Sequence, residues 1–188
     1  IDDACTFMGR YENGSLANTV LAGSLRYYHR ESDRFLTYAS FETTAGTGTA
    51  LGSRFEELAE LRSRIPPELR HRIGFCADTC HLYSAGYDLV NAYDAVWEEW
   101  ERLIGIAHLR CLHLNDSKTP FASRKDRHEL IAEGSLGAEP FRRIMRDPRF
   151  ADVIKVLETP KGDDMVTNDR RMLRRLRAYG RGAPKRVR

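Results

Sequence analysis

Four apolar, strand-like runs alternate with helical patterns along this chain, and this alternation restricts the fold more than any other feature. The runs cover residues 35–41, 72–77, 109–114 and 153–157. Repeated strand-then-helix units predict a parallel sheet with right-handed crossovers. Four such units make half of an eight-stranded barrel, whose usual length is about 250 residues. The 188 residues therefore suit either an open four-stranded α/β sheet or the second half of a TIM barrel.

The clearest helical pattern covers residues 91–106. Apolar side chains recur there at steps of three and four, while acidic residues take the opposite face. The apolar positions are Tyr93, Val96, Trp97, Trp100, Leu103 and Ile104. Their spacing predicts a helix that packs this face on the sheet, so the tryptophans belong to the core. Further helices are predicted over residues 16–30, 54–63, 139–146 and 168–179.

Length and composition predict one domain. With 41% hydrophobic residues, the chain can form one sizeable core, which we place in residues 1–180, followed by a basic tail over residues 181–188. No run approaches the roughly 18 apolar residues of a membrane span. The chain starts at Ile1 without a charged-then-apolar leader, so we expect no secretory signal in these residues, although a segment upstream of them could carry one. The intracellular location that we expect rests on the cysteines.

The four cysteines predict a reduced protein. Cys76, Cys80 and Cys111 fall in or beside buried strands, where cysteine acts as a small hydrophobe. Cys76 and Cys80 also have the spacing of a zinc knuckle beside His81. Strand alternation argues against that site, because it directs Cys76 and Asp78 to the same side and leaves Cys80 in the following loop.

Charge is distributed unevenly. The net charge is only +3, yet the sequence from Arg170 to Arg188 contains nine Lys or Arg residues and no acid. Basic clusters of this kind favour a polyanionic partner, since they neutralise phosphates and release counterions. A solvated tail without a partner is the alternative.

Seven potential metal ligands lie at or just beyond the ends of the four predicted strands. They are Glu42, Asp78, His81, His113, Asp126, His128 and Glu158. A parallel sheet gathers the carboxyl ends of its strands along one rim, so these side chains predict one shared pocket. Oxygen and nitrogen ligands suit Zn²⁺ or Mn²⁺. Metal ions about 3.5–4 Å apart are an established solution for phosphodiester cleavage, so we expect a metalloenzyme.

Five longer motifs carry a family resemblance. They are FETTAGTGTALG (41–52), FCADTCHLYSAGYDL (75–89), HLNDSKTPFASRKDRHELIAEGSLG (113–137), PFRRIMRDPRF (140–150) and VLETPK (156–161). Their order and spacing resemble the endonuclease IV family of apurinic/apyrimidinic endonucleases. The resemblance covers residues 36–161.

The resemblance implies the C-terminal half of a TIM barrel and an enzyme with three zinc ions. Such an enzyme hydrolyses the phosphodiester bond 5′ to an abasic site, leaves a 3′-hydroxyl and acts on double-stranded DNA with abasic sites or blocked 3′ ends. The family pattern assigns Glu42 and Glu158 to a bridged pair of ions and makes Glu42, Asp126 and Glu158 the catalytic residues. The remaining ligands are Asp78 and His113 for the second ion, and His81, Asp126 and His128 for the third.

The chain also departs from the family pattern. Two histidines that hold the family's first zinc precede these motifs, and upstream of Glu42 only His29 is present, within a predicted helix. Thr43 replaces an Asn, while Ala122 and Ala132 replace Gly. These changes remove no ligand from the matched motifs, although they could alter the loops.

Other polar residues of these motifs are expected to support the site. Asn115 and Asp116 are predicted to orient the loop or a ligand imidazole. Four basic residues share the loop with the third-site ligands and are predicted to contact DNA phosphates. They are Lys118, Arg124, Lys125 and Arg127.

Two alternative functions remain open at this stage. The chain could be a catalytically impaired homologue that acts as a metal-containing DNA- or protein-binding module, or a divergent sugar isomerase-like barrel. A half-barrel would expose its strand edges, so self-association is also expected. As a repair nuclease the protein would be associated with the nucleoid, or nuclear if its source is eukaryotic.

Overall fold

The computed structural model describes residues 21–29, 34–48, 50–164 and 166–181, with side chains described from Ser40 onward. Its main sheet contains five strands in the order β1-β2-β3-β4-β7. They are β1 (Leu21–His29), β2 (Arg34–Glu42), β3 (Ile73–Asp78), β4 (Leu109–His113) and β7 (Ile154–Val156). The strands from β2 onward pair in parallel, as the alternating pattern predicts.

Strand β1 corrects one prediction. Residues 16–30 were expected to form a helix, but Leu21–His29 is a strand that pairs antiparallel with β2. Gly23 disfavours a helix, and the neighbouring Tyr27 and Tyr28 favour a strand. The sheet is therefore mixed rather than wholly parallel, and His29 ends a strand.

Five helices accompany the sheet. They are α1 (Phe55–Ser63), α2 (Thr79–Ala85), α3 (Tyr93–Leu103), α4 (Glu139–Arg146) and α5 (Thr167–Tyr179). Four of them confirm predicted helices to within a few residues. Helix α2 was not predicted. It begins directly after β3, because the Asp78 side chain caps it, and ends at Gly86, whose φ of 111° closes the helix in the left-handed conformation.

The core lies between the sheet and the helices. Trp97 and Trp100 of α3 are fully buried and pack edge-on against Phe150 and Phe75, respectively. Their burial confirms that the apolar face of α3 covers the sheet. No helix in the described part of the chain is long and apolar enough to cross a membrane.

A small two-stranded ladder folds back over the rim of the main sheet. It pairs β5 (Asp116–Ser117) with β6 (His128–Glu129) in antiparallel fashion. The loop between them therefore starts and ends near the carboxyl end of β4. This arrangement brings the loop that follows one strand to the ligand-bearing ends of its neighbours.

The cysteines and the basic C-terminal stretch partly agree with expectation. Cys76, Cys80 and Cys111 are buried free thiols, whereas Cys5 lies outside the described residues.

Part of the basic stretch forms α5, where Arg171 and Arg175 pair with Glu133 at 2.6 and 3.1 Å. Residues 182–188 also lie outside the described part, so the tail boundary stays a prediction.

Candidate metal centre

The carboxyl ends of the parallel strands bring three ligand-type side chains to one rim. Glu42 ends β2, Asp78 ends β3 and His113 ends β4. Asp78 and His113 are direct partners across β3 and β4, so their side chains project from the same face. Glu158 follows two residues after β7 and joins them there.

Asp78 has two separate tasks at this rim. Its Oδ1 accepts hydrogen bonds from the backbone N–H groups of Cys80 and His81 at 2.7 and 3.0 Å, which starts α2. Its Oδ2 accepts from Asn115 Nδ2 at 2.6 Å. The prediction that the residues from Cys80 onward form a loop after this strand is therefore wrong: the cap places Cys80 and His81 in the first turn of a helix.

One group of ligands surrounds the His113 ring. His113 Nδ1 lies 2.9 Å from Glu42 Oε1, 3.2 Å from Glu158 Oε2 and 3.9 Å from Asp78 Oδ2. One ligand atom from each of these four residues lies within 4.8 Å of the others. Asp78 is wholly buried, whereas 46% of the Glu158 side chain is exposed. Glu158 thus forms the solvent side of this first group.

A second group adjoins the first. Asp126 lies between two imidazoles, with Oδ2 3.1 Å from His81 Nε2 and Oδ1 3.2 Å from His128 Nε2. The Asp126 side chain is 51% exposed. His128 Nε2 is 3.5 Å from Asp78 Oδ2, and His81 Nδ1 is 3.7 Å from Glu42 Oε1. The two groups therefore form one continuous cluster, which contains all seven predicted ligands.

Backbone carbonyls fix the orientation of two imidazoles in the second group. The Thr43 carbonyl oxygen lies 2.7 Å from His81 Nδ1, and the Glu158 carbonyl oxygen lies 3.2 Å from His128 Nδ1. A carbonyl oxygen can only accept, so each Nδ1 donates and each Nε2 directs its lone pair toward Asp126. In the neutral rings both Nε2 atoms are buried without a hydrogen-bond partner, and once protonated each can donate to the Asp126 carboxylate beside it. Imidazoles held in this way are typical metal ligands.

The cluster contains four carboxylates and three imidazoles, and this balance shifts their pKa values. Burial alone would lower the pKa of His81, but the charge of Asp78 and the hydrogen bond to Asp126 raise it to about 10. The pKa of His113 is likewise raised despite its burial. Hydrogen bonds from His128 and His81 lower the pKa of Asp126. A surplus of carboxylates among nitrogen donors fits divalent cations, which would neutralise it.

Thr43 and Thr79 form hydrogen bonds that support the cluster, and the sequence analysis did not predict this role for either residue. Thr43 Oγ1 accepts from the backbone N–H of Asp78 at 2.9 Å, in addition to the contact of its carbonyl with His81. Thr79 Oγ1 donates to the Asn115 carbonyl at 2.6 Å and accepts from its N–H at 2.9 Å. The buried position of each hydroxyl directly after a strand was the available signal.

Asn115 connects the two strand ends rather than an imidazole. It is fully buried, donates to Asp78 as described and accepts from the backbone N–H of Glu158 through Oδ1 at 2.9 Å. One side chain thus fixes the carboxylate of one candidate ligand and the backbone of another.

Asp116 holds the loop that carries Asp126 and His128. Its buried carboxylate accepts from the backbone N–H groups of Ser117, Gly134 and Leu136 at 2.7, 3.1 and 2.9 Å. Gly134 lies so close that a Cβ there would be 2.4 Å from the Ser117 carbonyl oxygen. Asp116 therefore joins the start and the end of this loop.

The four predicted DNA-contacting residues lie on the tip of the same loop and are all exposed. They are Lys118, Arg124, Lys125 and Arg127. Backbone hydrogen bonds connect this tip to α2, from the N–H groups of Ala122 and Arg124 to the carbonyls of Tyr83 and Ser84 at 3.1 and 2.9 Å. Ala122, Arg124 and Ala132 have φ values of 56°, 54° and 63°. Ala122 and Ala132 thus occupy the left-handed region that glycine favours.

The fold and the motifs agree with the comparisons to known proteins. A family profile described as "Xylose isomerase-like TIM barrel" matches residues 20–176. The chain belongs to this family. The predicted TIM-barrel fold class and the resemblance to endonuclease IV are both confirmed by its relatives.

Several relatives carry an endonuclease name. "Probable endonuclease 4" of Chloroflexus aurantiacus is 48% identical over 149 residues, which cover 78% of this chain and 51% of that protein. The protein of the same name from Geobacter sulfurreducens is 53% identical over 125 residues, 65% of this chain and 42% of its own length. The crystal structure of endonuclease IV from Thermus thermophilus aligns with a TM-score of 0.64 and 38% identity, covering 73% of this chain and 48% of that one. The chain thus spans about half the length of the curated relatives it matches.

Proposed function

We propose that the chain is part of a metal-dependent DNA repair endonuclease. Its reaction is hydrolysis of the phosphodiester bond 5′ to an abasic site in duplex DNA, which leaves a 3′-hydroxyl. The observation that carries this proposal is the single cluster formed by all seven motif residues at one strand-end rim. The names of the relatives support the same activity.

The donor set suits zinc, with manganese as the alternative. We assign Glu42, Asp78, His113 and Glu158 to one part of the centre. His81, Asp126 and His128 would hold the other part. When bound, such ions polarise a phosphoryl oxygen and lower the pKa of water.

The role that we assign to each carboxylate follows from how exposed its side chain is. Asp78 is buried and fixed by its three hydrogen bonds, so it anchors the centre. Glu158 and Asp126 are the most exposed carboxylates of the cluster, so substrate can reach them. Glu158 is placed to accept a proton from the attacking water, while Asp126 keeps the His81 and His128 rings in position. Glu42 supports the site from beside His113.

The basic loop tip supplies a surface for the DNA backbone. Its four cations flank Asp126 in sequence and extend into solvent. Lys and Arg in such positions contact phosphates and set the position of the duplex without reading its sequence. We therefore propose double-stranded DNA with abasic sites or blocked 3′ ends as the partner, and an intracellular, DNA-associated location.

Glu158→Gln tests the assignment directly. The substitution keeps the shape of the side chain but removes its negative charge and its ability to accept a proton. We expect incision of a duplex oligonucleotide with one abasic-site analogue to fall by at least about 100-fold, with an unchanged circular dichroism spectrum. Glu139→Gln, on the exposed first turn of α4, is the matched control and should retain full activity. An unchanged rate in Glu158→Gln would remove this residue from the mechanism.

Repeating the incision assay with a zinc chelator distinguishes the nuclease from the alternative of a binding module. Cleavage 5′ to the lesion that stops on chelation and returns with zinc supports the enzyme. A folded, metal-containing sample that binds the duplex without cutting it supports the module instead. Self-association, measured by sedimentation in the same samples, remains a prediction. Activity on sugars without activity on DNA would favour the isomerase alternative.

A further inference from the structure

Two thiols lie directly below the candidate metal centre. Cys76 on β3 and Cys111 on β4 are direct partners across the two strands. Each precedes a candidate ligand by two residues, so the thiols project from the same face as Asp78 and His113, one row deeper. Nothing in the proposed nuclease mechanism uses either sulfur.

The two sulfurs and the His113 ring form a compact donor set. One ligand atom from each of Cys76, Cys111 and His113 lies within 4.8 Å of the other two. The cysteines are only 2% and 3% exposed. A tetrahedral ion with sulfur at about 2.3 Å and nitrogen at about 2.0–2.1 Å separates its donor atoms by roughly 3.5–3.8 Å. Small side-chain rotations are therefore enough to close the set around an ion.

The two neighbouring donor sets differ in chemical softness. The rim cluster is rich in carboxylate oxygens, which suit harder divalent ions, whereas thiolates with an imidazole select soft cations. Glu42 pairs with Cys76 across β2 and β3, so a negative charge borders the thiols and favours a cation.

We propose that Cys76, Cys111 and His113 form a separate site for a soft, thiophilic cation such as Cu⁺ or Cd²⁺. Because His113 belongs to both groups, an ion in the thiol site and an ion at the rim would compete for its ring. Occupation of the thiol site thus opposes occupation of the rim. A thiophilic ion would inhibit the protein without displacing ligands other than His113.

Cadmium titration of the reduced, metal-free full chain tests the site. Sulfur-to-cadmium charge transfer absorbs in the ultraviolet, whereas cadmium bound by carboxylates and imidazoles does not produce this band. We expect a saturable band in the unaltered chain and loss of half or more of it in Cys76→Ser and in Cys111→Ser, because each removes one of two sulfur ligands. Cys80→Ser is the matched control, since Cys80 is also a buried thiol and its sulfur lies within 4.8 Å of ligand atoms of Asp78 and His128. At one equivalent of cadmium this variant should keep the band.

Two results of the cadmium titration would contradict the thiol site. A band that persists in the double variant Cys76→Ser/Cys111→Ser, or that disappears in Cys80→Ser alone, overturns the proposal. Near-ultraviolet circular dichroism of Trp97 and Trp100 verifies folding, and Cys→Ala variants replace any serine variant that does not fold. The sulfur band is independent of DNA cleavage. Absence of the band would leave the proposed nuclease activity unaffected, and absence of cleavage would leave the proposed thiol site unaffected.

Discussion

Asn115→Ala should damage both stability and metal binding, because this one side chain fixes two candidate ligands. Its amide donates to the buried Asp78 carboxylate at 2.6 Å and accepts from the Glu158 N–H at 2.9 Å. A hydrogen bond to a charged group contributes about 1.5–3 kcal/mol, and a neutral one about 0.5–1.5 kcal/mol. The substitution leaves both partners unsatisfied, so we expect the free energy of unfolding of the metal-free protein to fall by about 2–4 kcal/mol.

Metal binding should weaken in the same variant. Removing a residue that orients metal ligands typically costs about 10- to 100-fold in affinity. Urea denaturation in chelator gives the stability, and competition with a zinc-binding dye gives the affinity. Asn91→Ala is the matched control: Asn91 also donates to a carboxylate, Asp88 at 2.8 Å, but in an exposed position. Asn91→Ala should lower the free energy of unfolding by less than about 1 kcal/mol.

Two results would refute this reasoning. One is an Asn115→Ala protein whose stability and zinc affinity match those of the unaltered chain. The other result concerns Asn115→Asp. This substitution keeps an acceptor for the backbone N–H of Glu158 but places a second carboxyl group against Asp78. The shared proton raises the pKa of that pair above the unfolded value, so the loss of stability relative to the unaltered chain should grow as pH rises and vanish below about pH 4. A loss that does not depend on pH would contradict the assigned contact.

Three further substitutions test the loop and the periphery. Ala122→Gly should raise the melting temperature by about 1–4 °C, since it relieves a left-handed conformation, whereas Ala95→Gly, inside helix α3, should lower it. Gly134→Ala should cost about 1–3 kcal/mol or more in unfolding free energy because its methyl group would overlap a carbonyl, and should cost more than Gly180→Ala, where φ is −76° and the nearest atom would lie 3.5 Å from the new Cβ. Burial opposes ionisation of Asp147, but its arginine partner lowers its pKa overall, so its stabilisation should be present above pH 4 and lost as pH falls further. Thermal melts of Asp147→Asn and the unaltered chain should therefore differ at neutral pH and converge in acid.

The extent to which sequence predicted this fold depended on how local each signal was. The strand runs and the apolar face with Trp97 and Trp100 carried their own periodicity, so those elements were predicted well. Strand β1 was not, because Tyr27 and Tyr28 give only a weak local preference for a strand, and the antiparallel pairing with β2 that fixes it cannot be seen in the local sequence. Helix α2 had usable signals, an aspartate cap and a closing glycine, but its seven residues are too few to show a period.

The shared location of the candidate ligands was easier to predict than the contacts that orient them. Acid and histidine side chains at strand ends share one rim in any parallel sheet, so the seven could be gathered without coordinates. The role of Asn115 depends on atoms that meet across 37 and 43 residues of chain. No spacing rule indicates which carboxylate it meets, and the same holds for the Thr43 carbonyl behind His81.

The loop tip between Lys118 and Arg127 is held by backbone groups and by small hydroxyl side chains. The Lys118 N–H donates to the Arg127 carbonyl at 2.9 Å, the Ser84 hydroxyl donates to the Lys125 carbonyl at 2.9 Å, and the Thr119 and Ser123 hydroxyls lie 2.8 Å apart. A change of the exposed Lys125 side chain can therefore leave the path of the loop, and with it the place of Asp126, unaltered, as can a change at position 124 to a residue that tolerates its φ of 54°. Evolution or a protein engineer could vary the charge presented to nucleic acid here while the chemistry beside it stays constant, which separates the tuning of affinity from the tuning of rate.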